Sequence, residues 1–462
     1  MNQTFKKAGY LFAAVSFPAL LWAQQPTKNL SLNEAIELGL EHSKKLMLSD
    51  AAIEQAEASL TEAKDAKLPD LKVSGAYLYL AQPHLNIKLD LGGNSDSDDG
   101  SSSDDGSSSS SEMPKVHQAV YGMVSASLPL YAGGKINNSI KSAEYITKAT
   151  KLDAENDKEG VVQNIISAYY NLYKADAQLK LVNENLRTAE QRVRDFSNLE
   201  ANGIIARNDL MKAELQQSDM ELAVLDAENN RKITNFNFNL LLGLEDSTQI
   251  IIDTNAVGTP AQIEGLADLV GMAKSNRFDY LATVERSQAA LYNTKVVQGN
   301  KLPTVALTGG YMAADIPNAL SAYNIVNVGV GVSYDLGALY KNKSKERSAK
   351  TQEKILDIRR QQLEDDIQTE IFQAYNDYNH QLKRLDVLQK AIEQAEENYR
   401  IVKNKYDNAL ATATDLFDAD VAQLQARINY ANAKADAAVA YNKIYETVGV
   451  LNKKVHNIHQ AQ

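Results

Sequence analysis

The sequence predicts an α+β membrane protein in which three chains build one twelve-stranded β-barrel, with long antiparallel coiled-coil α-helices continuing from it. Three observations predict this fold class: an internal repeat, two strands of alternating apolar residues in each copy, and a very long segment without helix breakers. After Gly337 the next glycine or proline is Gly449. The residue types that most often end a helix are therefore absent between these two positions.

The internal repeat accounts for most of the chain. Leu302 aligns with Leu68 at an offset of 234 residues, and Gly449 aligns with Gly243 at an offset of 206. The offset changes because the first copy holds extra residues between its two strands. Each copy has the order helix, strand, loop, strand, long helix, turn, long helix. The two copies are expected at residues 30–244 and 265–450.

The N-terminus has the layout of a secretory signal peptide over residues 1–23. Lys6 and Lys7 precede an apolar run that is too short to cross a bilayer as a helix. The chain has no cysteine, which excludes disulfides, thiolate metal sites and thiol nucleophiles. With 48 basic and 59 acidic residues, the chain is acidic and is not expected to bind nucleic acid.

Four strands of about ten residues are predicted, the length of a tilted strand crossing an outer membrane. In the last of them Val326, Val328, Val330 and Val332 alternate with asparagine and glycine, so one face is apolar and the other is lined by small residues. Tyrosines cluster within or beside the strands, as in interfacial aromatic girdles. The predicted strands cover residues 71–81, 119–130, 304–312 and 326–336.

The number of strands predicts the oligomeric state. Four strands cannot close a barrel, and open sheet edges are not tolerated in lipid. Two chains would give eight strands with an interior filled by side chains, whereas three chains give twelve strands and a conduit. We therefore expect a homotrimer. A soluble β-sandwich is the alternative, and it is weakened because four strands cannot make two sheets of ordinary size.

The extra residues of the first copy form a Ser/Asp/Gly tract at residues 91–114. Such a tract cannot bury enough apolar surface to offset its conformational entropy, so it predicts a mobile loop. Its acidic residues do not follow the ligand order of an EF-hand. No metal site is predicted there, and the loop is expected to face outward because it joins two spanning strands on the side away from the helices.

Apolar residues at spacings of three and four predict coiled-coil helices. In the second copy Ile371, Tyr375, Tyr378, Leu382 and Leu385 form such a seam. The longest helix would extend roughly 100 Å at 1.5 Å per residue. Long helices that act only as a spacer and enclose no lumen would show the same heptad pattern, so the helices alone do not establish a channel. The long helices are predicted at residues 135–200, 208–242, 341–407 and 415–448, and a flexible tail at residues 451–462.

The motifs, taken in order, resemble those of the TolC-type outer-membrane efflux proteins, the outer membrane factors. They include AKLPDLKVSGAY at the first strand, VSASLPLYAGGKINNSIKSAE where strand becomes helix, and the turn segments ANGIIARNDLMKAE and NALATATDLFDADVAQ. The resemblance covers nearly the whole chain after residue 23. It is carried by the order of these motifs, which occurs twice.

This resemblance implies a homotrimer whose barrel continues into a helical tunnel in the periplasm of a Gram-negative bacterium. It implies the exit duct of a tripartite efflux or secretion system, which passes substrates from the periplasm or an inner-membrane transporter to the exterior. The implied partners are a periplasmic adaptor (membrane fusion) protein, the inner-membrane transporter and outer-membrane lipid. The alternative function is a non-conducting structural envelope protein whose long helices tether the outer membrane.

The resemblance also implies a constriction at the periplasmic mouth, where acidic residues line the pore. The matching positions are Asp209 in the first copy with Asp415 and Asp418 in the second, while the pore-closing arginine of the family falls on Ala411. Asp209 and Asp415 each precede an apolar helical start. Helix N-capping is therefore the alternative role for these two residues.

Glycines mark the predicted strand-to-helix hinges. In LPLYAGG, Gly133 and Gly134 permit the backbone angles that a sharp change of direction needs, and Gly337 occupies the corresponding place in the second copy. The histidines are scattered, and neither a Ser/His/Asp set nor an HExxH motif is present. The sequence therefore predicts no enzyme activity, no catalytic residues, no metal site and no cofactor.

Overall fold

The computed structural model describes residues 27–79, 81, 117–252, 262–317 and 320–460, which are mostly helical with some sheet. The predicted signal peptide (1–23) and the Ser/Asp/Gly tract (91–114) lie outside the described residues. The first half contains β1 (Thr27–Leu30), α1 (Leu32–His42), α2 (Lys44–Asp65), β2 (Asp70–Tyr79), β3 (Gln118–Tyr131), α3 (Lys135–Ala201) and α4 (Arg207–Leu242). The second half contains β4 (Gln249–Ile252), α5 (Leu266–Asn276), α6 (Phe278–Gly299), β5 (Thr304–Ile316), β6 (Leu320–Ser333), α7 (Ala338–Asp407), α8 (Ala413–Val448) and α9 (Leu451–Gln460).

Four strands form one antiparallel sheet in the order β2-β3-β5-β6. The strands β2 and β6 lie at its edges, and within the described residues each pairs with one neighbour only. On β6, Val326, Val328, Val330 and Val332 are 63–77% exposed. One chain by itself therefore leaves the valine face of β6 uncovered.

The last two strands are longer than the sequence predicts. The ladder between β5 and β6 reaches Ile316 opposite Leu320, beyond the predicted ends at residues 312 and 326. Its register shifts between Met312 and Ala314. Because the alternation of apolar residues breaks at this shift, a search for period 2 stops there.

The long helices pair as two hairpins, α3 with α4 and α7 with α8, and α3 also packs against α8. Helix α3 has 67 residues and α7 has 70. The shorter helices α2 and α6 lie along α3, and α6 also contacts α7. Within the described ranges, every helix is either too short or too polar to cross a bilayer.

A small parallel sheet lies beside these helices, where β1 pairs with β4. Its residues Leu30 and Ile250 join the largest apolar cluster, together with Ile165 and Tyr169 of α3 and Leu242 of α4. These two strands are not predicted from the sequence, since four residues are too few for a periodic pattern. The small sheet fixes the beginning of the described chain to the first helical hairpin.

The C-terminus differs from the flexible tail expected at residues 451–462. Helix α9 begins there with Leu451 fully buried, and the backbone N–H of Asn452 donates to both carboxylate oxygens of Glu159 at 3.2 Å. The Lys454 Nζ donates to the Tyr441 hydroxyl at 2.7 Å. The first residues of this segment are held in place because α3 and α8 supply partners for them.

Glu159 makes this junction sensitive to pH. Burial raises the pKa of the Glu159 carboxyl from 4.5 to about 7, although the N–H groups of Asn452 and Leu451 favour its charged form. Because the folded-state pKa lies above the unfolded value, its contribution to stability is full at pH 4.5 and below. That contribution is lost as the pH rises to about 7.

We expect Glu159→Gln to weaken this pH dependence. Glutamine still offers an oxygen to α9 but does not titrate, so the melting temperature of the variant should change less than that of the wild type between pH 5 and pH 8. Glu184→Gln, at an exposed position on the same helix, is the matched control. Equal pH dependence in all three proteins would show that Glu159 does not control the stability of this region.

Candidate functional site

The two helical hairpins end in turns of the same design. In the first, Gly203 has φ 69° and the Ile204 N–H donates to the Leu199 carbonyl at 2.9 Å. In the second, Ala409 has φ 58° and the Leu410 N–H donates to the Lys405 carbonyl at 2.7 Å. Both are Schellman-type helix ends with one residue in the left-handed conformation. The second turn takes this shape without glycine.

Asp415 belongs to a capping box at the start of α8. The Thr412 N–H and hydroxyl both donate to Asp415 Oδ2, at 2.8 and 2.7 Å, and the Asp415 N–H donates back to Thr412 Oγ1 at 3.2 Å. These hydrogen bonds, the one from the Thr412 hydroxyl first, hold the pKa of Asp415 below its usual range. Thr412 is thus the N-cap residue, and Asp415 lies inside the helix at its third position, where it contributes to capping through the capping box and not as the N-cap expected from the sequence.

Asp209 occupies the same position at the start of α4 but makes different contacts. The N-cap residue there is Ala206, which has no side chain that can cap the helix. The Asp209 carboxylate instead lies 3.8 Å from Lys212 Nζ. Lys212 also donates to the Thr414 hydroxyl at 3.3 Å. Lys212 thus links Asp209 to the first turn of α8.

Asp418 stands apart from the other two carboxylates. Its side chain is exposed on α8, and it has no hydrogen-bond or ion-pair partner among the residues that the structure describes. It lies one turn beyond the capping box, so no capping requirement accounts for it. Of the three predicted constriction residues, Asp418 is therefore the one whose charge has no role in the fold of the single chain.

An apolar cluster joins the two hairpins behind these turns. Phe196 stacks on Tyr406 with ring centroids 5.6 Å apart and lies 6.2 Å from the Phe417 ring. Leu210 of α4 and Ala413 of α8 are buried in the same cluster. The helices that carry Asp209 and Asp415 consequently contribute to one apolar cluster with α3 within each chain.

A buried ion pair in this region is not predicted by any local pattern in the sequence. Arg192 Nη1 donates to Asp420 Oδ2 at 2.9 Å, and the two side chains are 8% and 6% exposed. Asn185 donates to the other Asp420 oxygen at 3.4 Å, while Arg192 also donates to the Tyr399 hydroxyl at 3.4 Å. The guanidinium carbon lies 5.4 Å from the Phe417 ring centroid. The network holds α3, α7 and α8 together.

The predicted hinge glycines lie between a strand and a helix and have unlike conformations. Gly133 and Gly134 have φ 63° and 73°, in the left-handed region. Gly337 has φ −64°, so it needs no glycine-specific angle. There, Asp335 Oδ1 accepts the Gly337 N–H at 2.9 Å and fixes the start of α7.

Known proteins resemble this chain in sequence and in fold. The sequence matches the family described as "Outer membrane efflux protein" over residues 35–244 and 269–450. It is 21% identical over 327 residues to the outer membrane protein TolC of Vibrio cholerae serotype O1, covering 68% of this chain and 74% of that protein.

Solved structures share the fold at low sequence identity. The outer-membrane channel OprN superposes with a TM-score of 0.73 and 18% identity, covering 90% of this chain and 89% of OprN. The CmeC outer membrane channel of Campylobacter jejuni superposes with a TM-score of 0.71 and 18% identity, covering 99% of this chain and 97% of CmeC. These similarities establish the architecture.

Proposed function

Because this chain belongs to the outer membrane efflux protein family, we propose that it is the exit duct of a tripartite efflux or secretion system. The chain is a protein of the outer membrane with a large periplasmic helical part. The proposed duct passes substrates from the periplasm or an inner-membrane transporter to the exterior. Its proposed partners are a periplasmic adaptor protein and that transporter.

The open four-stranded sheet carries this proposal. The edge strands β2 and β6 each lack a second neighbour within the described chain, and the exposed valines of β6 form an apolar face that suits lipid. Unpaired edges are not tolerated in a bilayer. Three chains that pair β2 of one with β6 of the next would remove every edge and close a twelve-stranded barrel.

A stripe of exposed apolar residues on α4 supports assembly along the helices as well. Its members recur at heptad-like spacings and are uncovered in the single chain. A neighbouring chain of the trimer would cover them, because the same threefold axis that closes the barrel brings the helical hairpins side by side. The stripe consists of Met211, Leu215, Leu222, Leu225, Ile233, Phe236 and Leu240.

We propose that the chain is built of two structural repeats, at residues 30–244 and 265–450. The order of strands and long helices in the two halves supports this division. Each repeat would supply one strand hairpin to the barrel and one helical hairpin to the tunnel. Both sets of turns between long helices would then lie at the periplasmic end.

Single-channel recording in planar bilayers tests the duct against the alternative of a non-conducting tether. We expect discrete conductance steps from the purified protein, and a mass in detergent that corresponds to three chains. A stable monomer or dimer in detergent would contradict the trimer. A folded trimer that never conducts would favour the tether.

We propose further that Asp209, Asp415 and Asp418 line the constriction at the periplasmic mouth. A threefold axis would bring three copies of each carboxylate together, and such rings attract cations. We expect Asp418→Asn to lower the cation selectivity and divalent block of the channel with little change in stability, because the side chain is exposed and makes no hydrogen bond or ion pair among the described residues.

Thr412→Ala is the matched control for this prediction. It removes the capping hydroxyl but keeps every carboxylate, so it should lower stability by about 1 kcal/mol and leave selectivity unchanged. Asp415→Asn should change both properties, since Asp415 is charged and also part of the capping box. If Asp418→Asn conducts with unaltered selectivity, Asp418 does not line the constriction.

A further inference from the structure

A pocket of about 370 Å³ lies where the strands of the second half meet the long helices. Three lysines line it: Lys135 begins α3, and Lys341 and Lys345 belong to the first turns of α7. Among the described residues that line it, Asp335 is the only acidic one. The other lining residues are neutral, namely Asn300, Leu302, Thr304, Ser333, Ala338 and Asn342.

The three lysines lack the carboxylate partners that nearby lysines have. Lys301 and Lys350 both bind Glu346, at 2.5 and 3.2 Å, and hydrogen bonds from Lys301 and then Lys350 lower the pKa of that carboxyl to about 2. Lys135, Lys341 and Lys345 make no ion pair among the described residues, and Asp335 already accepts the Gly337 N–H. The pocket therefore carries an excess of positive charge.

The positive charge extends beyond the pocket along the same ends of the helices. Tyr145 and Tyr292 stack with ring centroids 5.4 Å apart, and Lys148 and Lys295 lie 4.9 and 4.4 Å from their centroids. Residues 135–151, 295–301 and 338–350 together contain eleven lysines and arginines but two glutamates. The whole chain has a net charge of −11, so cations are concentrated at the junction with the strands.

One exposed apolar side chain lines the same pocket, and others lie close to its lysines in sequence. Leu302 lines it, and Leu336, Leu339 and Tyr340 are exposed within a few residues of its lysines. Unpaired ammonium groups beside exposed leucines match an amphiphile that has acyl chains and a negative headgroup. A soluble anion would use the lysines but would leave the apolar side chains in water.

We propose that this pocket binds the phosphate of an anionic phospholipid of the phosphatidylglycerol type in the periplasmic leaflet of the outer membrane. The inference rests on the proposed function, which places β5 and β6 in the bilayer and the pocket at its boundary. Lys135, Lys341 and Lys345 neutralise the phosphate, and Asn300 supplies a neutral donor. The acyl chains lie against Leu302 and the neighbouring strands.

Native mass spectrometry of the intact protein in a neutral detergent tests this site. Palmitoyl-oleoyl-phosphatidylglycerol is added to the wild type and to the variant Lys135→Gln, Lys341→Gln, Lys345→Gln. We expect up to three tightly retained lipids per trimer in the wild type and at least a fivefold loss of retention in the variant. The control variant Lys180→Gln, Lys383→Gln, Lys390→Gln removes three exposed lysines from α3 and α7 far from the junction, and it should retain the lipid.

Two further ligands show which parts of the phospholipid the pocket binds. Palmitoyl-oleoyl-phosphatidylcholine should be retained at least fivefold less than phosphatidylglycerol, because its choline group cancels the phosphate charge. Glycerol 1-phosphate should compete weakly, because it lacks acyl chains. Equal retention of both lipids, full competition by glycerol 1-phosphate, or equal retention by the two triple-lysine variants would overturn the proposal.

Folding and conduction are measured on the same samples. If the triple variant does not assemble, two single variants are used in its place. Lys341→Gln should lower lipid retention, and Lys341→Arg should keep it because arginine carries the same charge. A channel that conducts but shows no preference for phosphatidylglycerol would refute the lipid site and leave the proposed duct intact. A protein that binds the lipid but never conducts would refute the duct.

Discussion

Gly133→Ala should destabilise the assembled protein by about 3 kcal/mol or more, which is the largest effect that we expect from a single methyl group in this chain. Two causes add at this residue. Alanine would keep the left-handed φ of 63° at a cost of about 1–2 kcal/mol. Its Cβ would also lie 2.5 Å from the Gly299 carbonyl oxygen, a backbone atom that cannot move aside cheaply.

Two neighbouring glycines separate these causes. Gly134 has φ 73°, but a Cβ there would meet nothing nearer than Asn138 Nδ2 at 3.5 Å, so Gly134→Ala should show the conformational cost alone. Gly299→Ala places a Cβ 2.6 Å from the Gly133 carbonyl oxygen in the last turn of α6, where alanine is otherwise favourable. It should show the cost of the close contact.

Thermal and urea unfolding of the purified trimers measures all three variants. We expect the loss of stability at Gly133 to exceed that at either other position. Equal losses for Gly133→Ala and Gly134→Ala would show that the approach of α6 to this turn does not contribute. The predicted hinge would then depend on backbone angles only.

Asp420→Ala should destabilise the helical tips by about 3–5 kcal/mol. The substitution leaves the Arg192 guanidinium, 8% exposed, without its carboxylate, and an uncompensated buried charge is far more costly than the net value of the pair. Replacing both residues, as Arg192→Met with Asp420→Leu, should recover most of the loss because no charge stays buried.

The pair between Arg427 and Glu396 is the matched control, since it too joins α8 to another long helix, α7, but is about two-fifths exposed. Glu396→Ala should cost about 0–1 kcal/mol. Hydrogen exchange of the amides in the first turns of α8 locates the effect, because Asp420→Ala should accelerate exchange there first. Equal effects of Asp420→Ala and Glu396→Ala would mean that the buried network adds nothing to the tips.

Local patterns in the sequence predict elements whose cause is local. The absence of breakers after Gly337 predicts one very long helix, and α7 runs without interruption from Ala338 to Asp407. Residues that depend on distant partners are not predicted. Asp420 resembles other helical carboxylates until α3 brings Arg192 against it, and Leu451 resembles a tail residue until α3 and α8 bury it.

The candidate site shows the same division between local and distant causes. The sequence places Asp415 at the start of a helix, and the capping box with Thr412 is a local consequence of that position. Whether Asp415 and Asp418 also line a pore depends on a threefold axis relating separate chains. The sequence pattern at Asp415 is therefore compatible with capping and with the proposed pore lining, and experiments on the assembled protein have to separate the two roles.

The pairing of β3 with β5 imposes an order on folding. Val124 opposes Tyr311 in the finished sheet, and roughly 190 residues, including both helices of the first hairpin, separate them along the chain. Each strand hairpin can form early, but β3 can pair with β5 only after the large loop between them has closed. Until the loop closes, the two separate strand hairpins expose four sheet edges. The pairing of β3 with β5 then removes two of these edges. Aggregation in this interval, more than instability of the finished protein, should limit how much of it reaches the membrane.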